Sequence, residues 1–418
     1  MIRLLLVLVI SMSALVGLAQ DQISVMSYNV LNFPTGNIAG REDTLRQIIN
    51  HVQPDILLIQ ELKNDSGLQL ILNESFADLN GNYEASTFVP QQSNPSSGFK
   101  LQQAMIYNAN LFGLANEGYL LTEVRDLNKF TLYYKDPDLA NGADTIFFYV
   151  FVMHLKSSQG TDNAEARLSM VQTLSYHQQY LPDNANMIVA GDFNLYTSEE
   201  PAYQELLDST NSIQLKDPID SPGDWNSSSF QPKSILTQST RSSSIFGDGA
   251  GGGVDDRFDF ILLSQNMFEH WNTIVYEPDS YYAMGNTGDC YNQSITDCSG
   301  GEWSDEILSS LYNMSDHLPI VLKLNIGVGT VSINSVKTEP LNLQLSGRTL
   351  QTRWNQNEAV IILISDFLGR TIYQRQLIFT KGANQVQLPE NVLSSGALII
   401  RVQSNTEQHT LKFFGPEF

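Results

Sequence analysis

Eight residues of this chain could do acid–base or metal chemistry, and each falls at or near the end of a hydrophobic run. Asn29 closes one run, Glu61 another and His154 a third; Asp192 and Asn194 follow a fourth, Asp259 lies inside a fifth, and Asp316 and His317 precede a sixth. One such group at a strand end is commonplace. Six separate segments each delivering one implies that the ends meet at a single rim. Carboxylates crowded in this way repel one another unless a cation neutralises them. Oxygen ligands without thiolates select Mg²⁺, with Mn²⁺ or Ca²⁺ as alternatives. The same inventory is what phosphate-ester hydrolysis requires: a metal to polarise the phosphoryl oxygen, an oriented base for water, and donors for the trigonal-bipyramidal phosphorus. His317, with Asp259 available to orient it, supplies a base and its partner.

The elements that must position these groups read as strands at residues 23–29, 55–61, 104–107, 145–155, 186–190, 258–264 and 318–326. Several are apolar throughout, as strands covered on both faces are. Helices are expected at 44–52, where Leu45, Ile48, Ile49 and Val52 share a face. Another is expected at 162–180, with Asp162 and Glu165 in a capping-box pattern, and a third after Ser198 and Pro201. Two packed β-layers flanked by helices follow. The stretch 247–253 contains G-x-G-x-x-G but neither follows a strong strand nor opens a helix, so it reads as a loop.

Met26-Ser-Tyr-Asn-Val-Leu-Asn, Asp55-Ile-Leu-Leu-Ile-Gln-Glu61, Met153-His-Leu-Lys-Ser, Gly191-Asp-Phe-Asn194, Asp256-Arg-Phe-Asp-Phe-Ile-Leu and Ser315-Asp-His-Leu-Pro-Ile resemble, in order, the motifs of the endonuclease/exonuclease/phosphatase superfamily. The resemblance spans nearly all of residues 23–326. It implies a four-layer α/β-sandwich of the deoxyribonuclease I type and metal-dependent attack of water on phosphate esters. It also implies Glu61 as principal metal ligand with Asn29 beside it and Asp316 as a second metal contact. Asp192 would position or deprotonate the water and Asn194 would hydrogen-bond the phosphate. His317, oriented by Asp259, would be a general base or a phosphate ligand. His154 matches a histidine of pancreatic-type deoxyribonucleases and bacterial sphingomyelinases that acts as acid or phosphate donor. Arg167 is either a phosphate contact or a helix-surface arginine. Leu31 stands where the abasic-site branch carries an acidic residue, which argues against a DNA-repair role.

Around this domain the chain of 418 residues is rich enough in hydrophobic residues, at 42%, for a large core. Residues 1–19 read as a secretory signal: Arg3, an apolar run from Leu4 to Ile10, then small residues up to Ala19. No segment is long enough to span a membrane. Cys290 and Cys298, the two cysteines, are expected to pair in an oxidising destination. Residues 20–326 form the expected catalytic domain and 327–337 a linker. Residues 338–418 read as a small all-β domain, with strands at 341–345, 359–364, 371–378, 397–402 and 410–414 and turns at 366–369 and 382–384. This part resembles the sorting domain of the type IX secretion system, which implies the secretion machinery as a partner. Its usual Asn-Pro start is missing, and Ala397 stands where an Ile-Tyr pair is common. The formal charge of -22 disfavours a non-specific grip on polyanions. Three functions remain open on these grounds: an extracellular nuclease acting on DNA or RNA, a phosphodiesterase or phosphatase for lipid head groups or small esters, and a non-catalytic adhesin. Residues 281–312, with Tyr282, Tyr291 and Trp303, form either a lipid-facing aromatic edge or an ordinary capped loop.

Overall fold

The computed structural model describes residues 21–327 and 343–414, apart from residues 37, 99, 138, 140–144, 245–247, 270–271, 299–300, 347, 367–369, 390–391, 393–396 and 405–407. The expected signal segment and most of the expected linker lie outside the described residues. Two compact units result, one of them spanning Gln22–Gly329.

The larger unit holds two sheets. The first combines β1 (Asp21–Phe33), β2 (Ile56–Leu62), β3 (Tyr83–Ala85) and β4 (Gln102–Asn108). The second combines β5 (Phe112–Leu120), β6 (Leu127–Tyr134), β7 (Phe147–His154), β8 (Asn186–Asp192), β9 (Leu215–Lys216) and β10 (Asp259–Ser264). β11 (Ile274–Tyr276), β12 (Tyr282–Ala283) and β13 (Ile320–Ile326) return to the first. The strand orders are β11-β13-β1-β2-β4-β3, with β12 on β13, and β5-β6-β7-β8-β10-β9. Five α-helices accompany them among the described residues: α1 (Arg41–Val52), α2 (Asp65–Leu70), α3 (Thr161–Gln178), α4 (Pro201–Leu206) and α5 (Asp305–Met314).

The apolar strands owe their pattern to burial on both faces. Ile23, Val25, Ile56 and Leu58 of one sheet join Val150, Val152, Ile188, Ala190 and Ile261 of the other in a single core. The alternate residues turn the other way: Met26, Leu57 and Ile59 join Leu45, Ile48 and Ile49 of α1, and Phe151, Met153 and Val189 join Met170, Val171 and Leu174 of α3. Helix, sheet, sheet and helix make four layers. Each side chain buried in this way contributes about 1.5–3 kcal/mol.

Some elements differ from expectation. β5 and β6 are additional strands at the outer edge of the second sheet. β5 carries Gly113 and Gly118, is mostly half-exposed or exposed, and shifts register between Leu114 and Asn116, so its apolar signal is weak. α3 starts at Thr161 after Gly160, so Asp162 sits inside the first turn and no side chain caps the helix. Residues 248–253 are indeed irregular.

The smaller unit, described by itself, is all-β. It contains β14 (Gln344–Ser346), β15 (Thr349–Trp354), β16 (Glu358–Asp366), β17 (Thr371–Phe379), β18 (Gly382–Gln387), β19 (Ala397–Gln403) and β20 (Gln408–Phe414). These form antiparallel sheets in the orders β14-β15-β18 and β17-β16-β19-β20. Leu350, Trp354, Val360, Ile362, Phe379, Leu398 and Ile400 supply their core. Residues 382–384 open β18 instead of forming a separate turn. The expected turn at 366–369 falls mostly outside the described residues.

Candidate active site

The pairing of strands brings the chemistry-bearing residues together. Parallel β7 and β8 set His154 opposite Asp192, and antiparallel β10 sets Asp259 opposite the same Asp192. Three functional groups therefore lie in a row across one sheet. In the other sheet, parallel β1 and β2 set Asn29 opposite Gln60, beside Glu61. Asn29 joins the two sheets: its Nδ2 donates to Glu61 Oε1 at 3.1 Å and to Asp192 Oδ2 at 3.0 Å. His154 Nε2 lies 3.4 Å from Asp192 Oδ2 and 3.9 Å from Glu61 Oε1. His317 Nε2 lies 3.6 Å from Asp192 Oδ2, while its Nδ1 is 2.8 Å from Asp259 Oδ2. An Nδ1–H donating to Asp259 leaves Nε2 as the reactive nitrogen.

The backbone at these strand ends is held in unusual conformations. Glu61 and Asn194 have left-handed φ values of 66° and 50°, as do Leu31 and Asn32 at 44° and 52°. Such strain persists where surrounding bonds over-determine it. Glu61 Oε2 accepts from Asn32 N at 3.0 Å, and Asp192 Oδ1 accepts from Asn194 N at 3.0 Å. Gly191 has φ 140°, and a Cβ there would sit 1.9 Å from Met153 O, so only glycine lets β7 and β8 close at this point. Ser315 Oγ donates to Asn29 O at 2.6 Å and accepts from His317 N at 3.1 Å, tying the segment that carries His317 to β1.

Burial decides the electrostatics. Glu61, Asp192, Asp259 and both histidines are almost withdrawn from solvent. Burial pushes Asp192 up to about 7; His317 opposes the rise, and Asp259 and Glu61 add to it. Glu61 is raised by burial and then by Asp316. His154 is held well below its ordinary value by burial, Arg125 and His317. His317 goes the other way: burial disfavours its charge, but Asp259, Asp192 and Asp316 together hold it well above the ordinary range.

This donor set fits a divalent cation. Ligand atoms of Glu61, His154 and Asp192 lie within 4.8 Å of one another. Asp316 Oδ1 and Asp259 Oδ1 are buried without a hydrogen-bond partner among the described residues. Of the three expected metal contacts, Glu61 stands in that group. Asp316 has Oδ2 engaged by Ala250 N at 2.6 Å and Gln238 Nε2 at 3.3 Å. Asn29 presents its donor end to the carboxylates, with its Oδ1 taken by Leu31 N at 3.0 Å.

Asn194 reaches Leu155 O through Nδ2 at 3.4 Å, a loose bond that a ligand could replace. Arg167 makes its bonds elsewhere: Nε and Nη2 donate to Glu200 Oε2 at 2.9 and 2.7 Å, and Nη1 to Lys156 O and Ser158 O. It pins the loop after β7 to α4 instead of reaching toward the cluster. A cation within electrostatic reach of the cluster is Arg125, between β5 and β6. It donates to Leu155 O at 2.9 Å; burial lowers its pKa, and Glu61 and Asp192 oppose that shift. No periodicity or motif marks Arg125 in the sequence. Gln238 was equally unmarked; its Nε2 lies 2.6 Å from His317 Nε2. The loop at 248–253 covers Asp316: a Cβ on Gly249 would lie 2.9 Å from Asp316 Cγ. Cys290 and Cys298 are disulfide-bonded. Tyr282, Tyr291 and Trp303 are half-buried and pack against the core.

Residues 26–317 match the family model described as the Endonuclease/Exonuclease/phosphatase family. Solved structures to which the chain is similar include D. rerio TDP2 complexed with single strand DNA product. It is 17% identical, covering 73% of this chain and 99% of that one, with TM-score 0.48. The human Nocturnin catalytic domain with bound sulfate anion is 19% identical, covering 73% and 97%, with TM-score 0.44. An endonuclease/exonuclease/phosphatase from Beutenbergia cavernae is 13% identical, covering 94% and 100%, with TM-score 0.43. No curated protein matches the chain.

Proposed function

The chain belongs to the endonuclease/exonuclease/phosphatase family of metal-dependent phosphoesterases, and within that class we propose that it is a secreted phosphodiesterase acting on DNA or RNA. The observation that carries the proposal is the bridge from Asn29 to Glu61 and Asp192, which gathers two carboxylates and two imidazoles from both sheets around one point.

Glu61 and Asp316 are the residues that would hold Mg²⁺, or Mn²⁺ or Ca²⁺ in its place; once bound, such an ion polarises the phosphoryl oxygen and screens developing charge. Asp192 Oδ2 takes the proton of the attacking water as the water oxygen bonds to phosphorus and the ester oxygen departs. Asn194 and Arg125 face the phosphate as neutral and cationic donors. The two histidines sit in opposite environments and take different parts. His317, held protonated and oriented by Asp259, donates from Nε2 to a phosphate oxygen; His154, held neutral, donates one hydrogen bond from Nε2.

The packing of the half-buried Tyr282, Tyr291 and Trp303 against the core supports the nucleic-acid reading over a lipid head-group one. Export is supported by the apolar run near the N-terminus and by the Cys290–Cys298 disulfide, which suits an oxidising compartment. The all-β C-terminal unit is proposed as the sorting domain read by a type IX secretion machinery. No described helix is long and apolar enough to cross a membrane.

The test is a substrate panel of bis-p-nitrophenyl phosphate, p-nitrophenyl phosphate, DNA, RNA and sphingomyelin with each divalent ion and a chelator control. The proposal expects chelator-sensitive cleavage of the diester and of at least one nucleic acid. Cleavage of the monoester or of sphingomyelin alone would overturn the substrate assignment.

A further inference from the structure

A cleft of about 460 Å³ is lined by Tyr196, Leu168, Ala164 and Pro201 among others, and by the Arg167–Glu200 ion pair. Its volume is in the range of small-molecule sites. Two of the six segments that carry the chemistry run into it. Tyr196 follows Asn194 by two residues, and the loop from His154 reaches the cleft at Gln159 and Gly160. Arg167 holds that loop through Lys156 O and Ser158 O at 2.8 and 2.9 Å, while Tyr196 N donates to Glu200 Oε1 at 2.8 Å. Tyr196 is itself held by the Arg167 guanidinium, 5.6 Å from its ring centre, and by the nearly perpendicular Phe258 ring at 5.0 Å. The cleft is therefore preorganised and does not depend on closure around a ligand.

From this juxtaposition we propose that the cleft is a subsite for the nucleobase of the nucleotide flanking the scissile phosphate, with Tyr196 as the stacking surface. The proposal rests on the phosphodiesterase reading above. Chemistry narrows the occupant. Arg167 is neutralised by Glu200, and Glu165 adds a further carboxylate at the rim, so a second phosphate group meets no unpaired cation here. A flat, uncharged ring matches a slot built from one aromatic and several aliphatic side chains. A quaternary ammonium head group is recognised by several aromatic faces, and Tyr196 is the one aromatic residue among the described residues lining the cleft.

The experiment compares two diesters with the same leaving group on the full chain: thymidine 5′-(p-nitrophenyl phosphate) and methyl p-nitrophenyl phosphate. Wild type is expected to favour the nucleoside diester in kcat/KM. Tyr196→Ala, and Ala164→Phe, which fills the slot from the face of α3, each lower that preference about tenfold, in the range of one lost stacking contact; Tyr196→Phe keeps it. Calorimetry with thymidine 5′-phosphate, methyl phosphate and phosphocholine provides a readout independent of turnover, and the first ligand is expected to bind tightest. Equal losses on both diesters would overturn the subsite. So would phosphocholine binding that depends on Tyr196 while thymidine 5′-phosphate binding does not. Tyr196-dependent binding of thymidine 5′-phosphate by a protein that cleaves neither diester would instead overturn the diesterase reading and leave the subsite standing.

Discussion

Asp192 Oδ2 is the atom that Asn29, His154 and His317 all approach. Removing its charge, by Asp192→Asn, is expected to lower kcat on bis-p-nitrophenyl phosphate by about two decades or more, as is Glu61→Gln or His317→Ala. Melting temperatures near that of wild type in chelator would separate lost chemistry from lost fold. The same residues set a pH dependence. Asp192 and Glu61 hold their protons more tightly folded than unfolded, so in chelator they stabilise the fold at low pH, and this contribution is lost as pH rises through about 7 for Asp192. His317 has the same sign, with stability present below its ordinary value and lost as pH climbs through the raised one; His154, kept neutral, has the opposite sign. A bound divalent ion replaces the protons on the carboxylates. The rise in melting temperature on adding Mg²⁺ should therefore grow from about pH 5 to pH 8, and a rise that is constant or shrinking across that range would contradict this account.

Strands β7 and β8 approach so closely that Gly191 can carry no side chain. Gly191→Ala forces Met153 O away and should cost about 2 kcal/mol or more, read as a lower urea midpoint together with lost activity. The elements that carry the chemistry were legible in the sequence because each functional residue lies at or near one end of an apolar run, and apolar runs of this kind are strands covered on both faces. Glu61, His154, Asp192 and His317, which the structure brings into one cluster, are legible in that way. β5 was not, since an edge strand with two glycines and a bulge has little apolar signal. Arg125 was missed because loop residues carry no period. Arg167 sits close to His154 in sequence, but α3 carries its guanidinium to Glu200. Gly249 shows that composition identified a loop without saying what the loop covers.

At the scale of the whole chain, the larger unit has its own two-sheet core and the smaller unit its own cluster. A chain ending at Ile326 is expected to keep wild-type kcat/KM on bis-p-nitrophenyl phosphate; a loss beyond about tenfold, worth 1.4 kcal/mol, would mean that the C-terminal unit supports the site. The net charge of -22 against 23 basic residues leaves few cations for a polyanion. The apparent affinity for DNA should fall with salt at a log–log slope of only about one or two, the slope expected when one or two phosphates are neutralised. The amide that spans the sheets has a mechanical consequence. Two bonds of about three ångströms leave Asn29 almost no tolerance for slippage between the layers, so turnover acts as a gauge of their spacing. Trimming an interior side chain such as Ile188 or Leu58 should therefore dull the enzyme while most molecules are still folded.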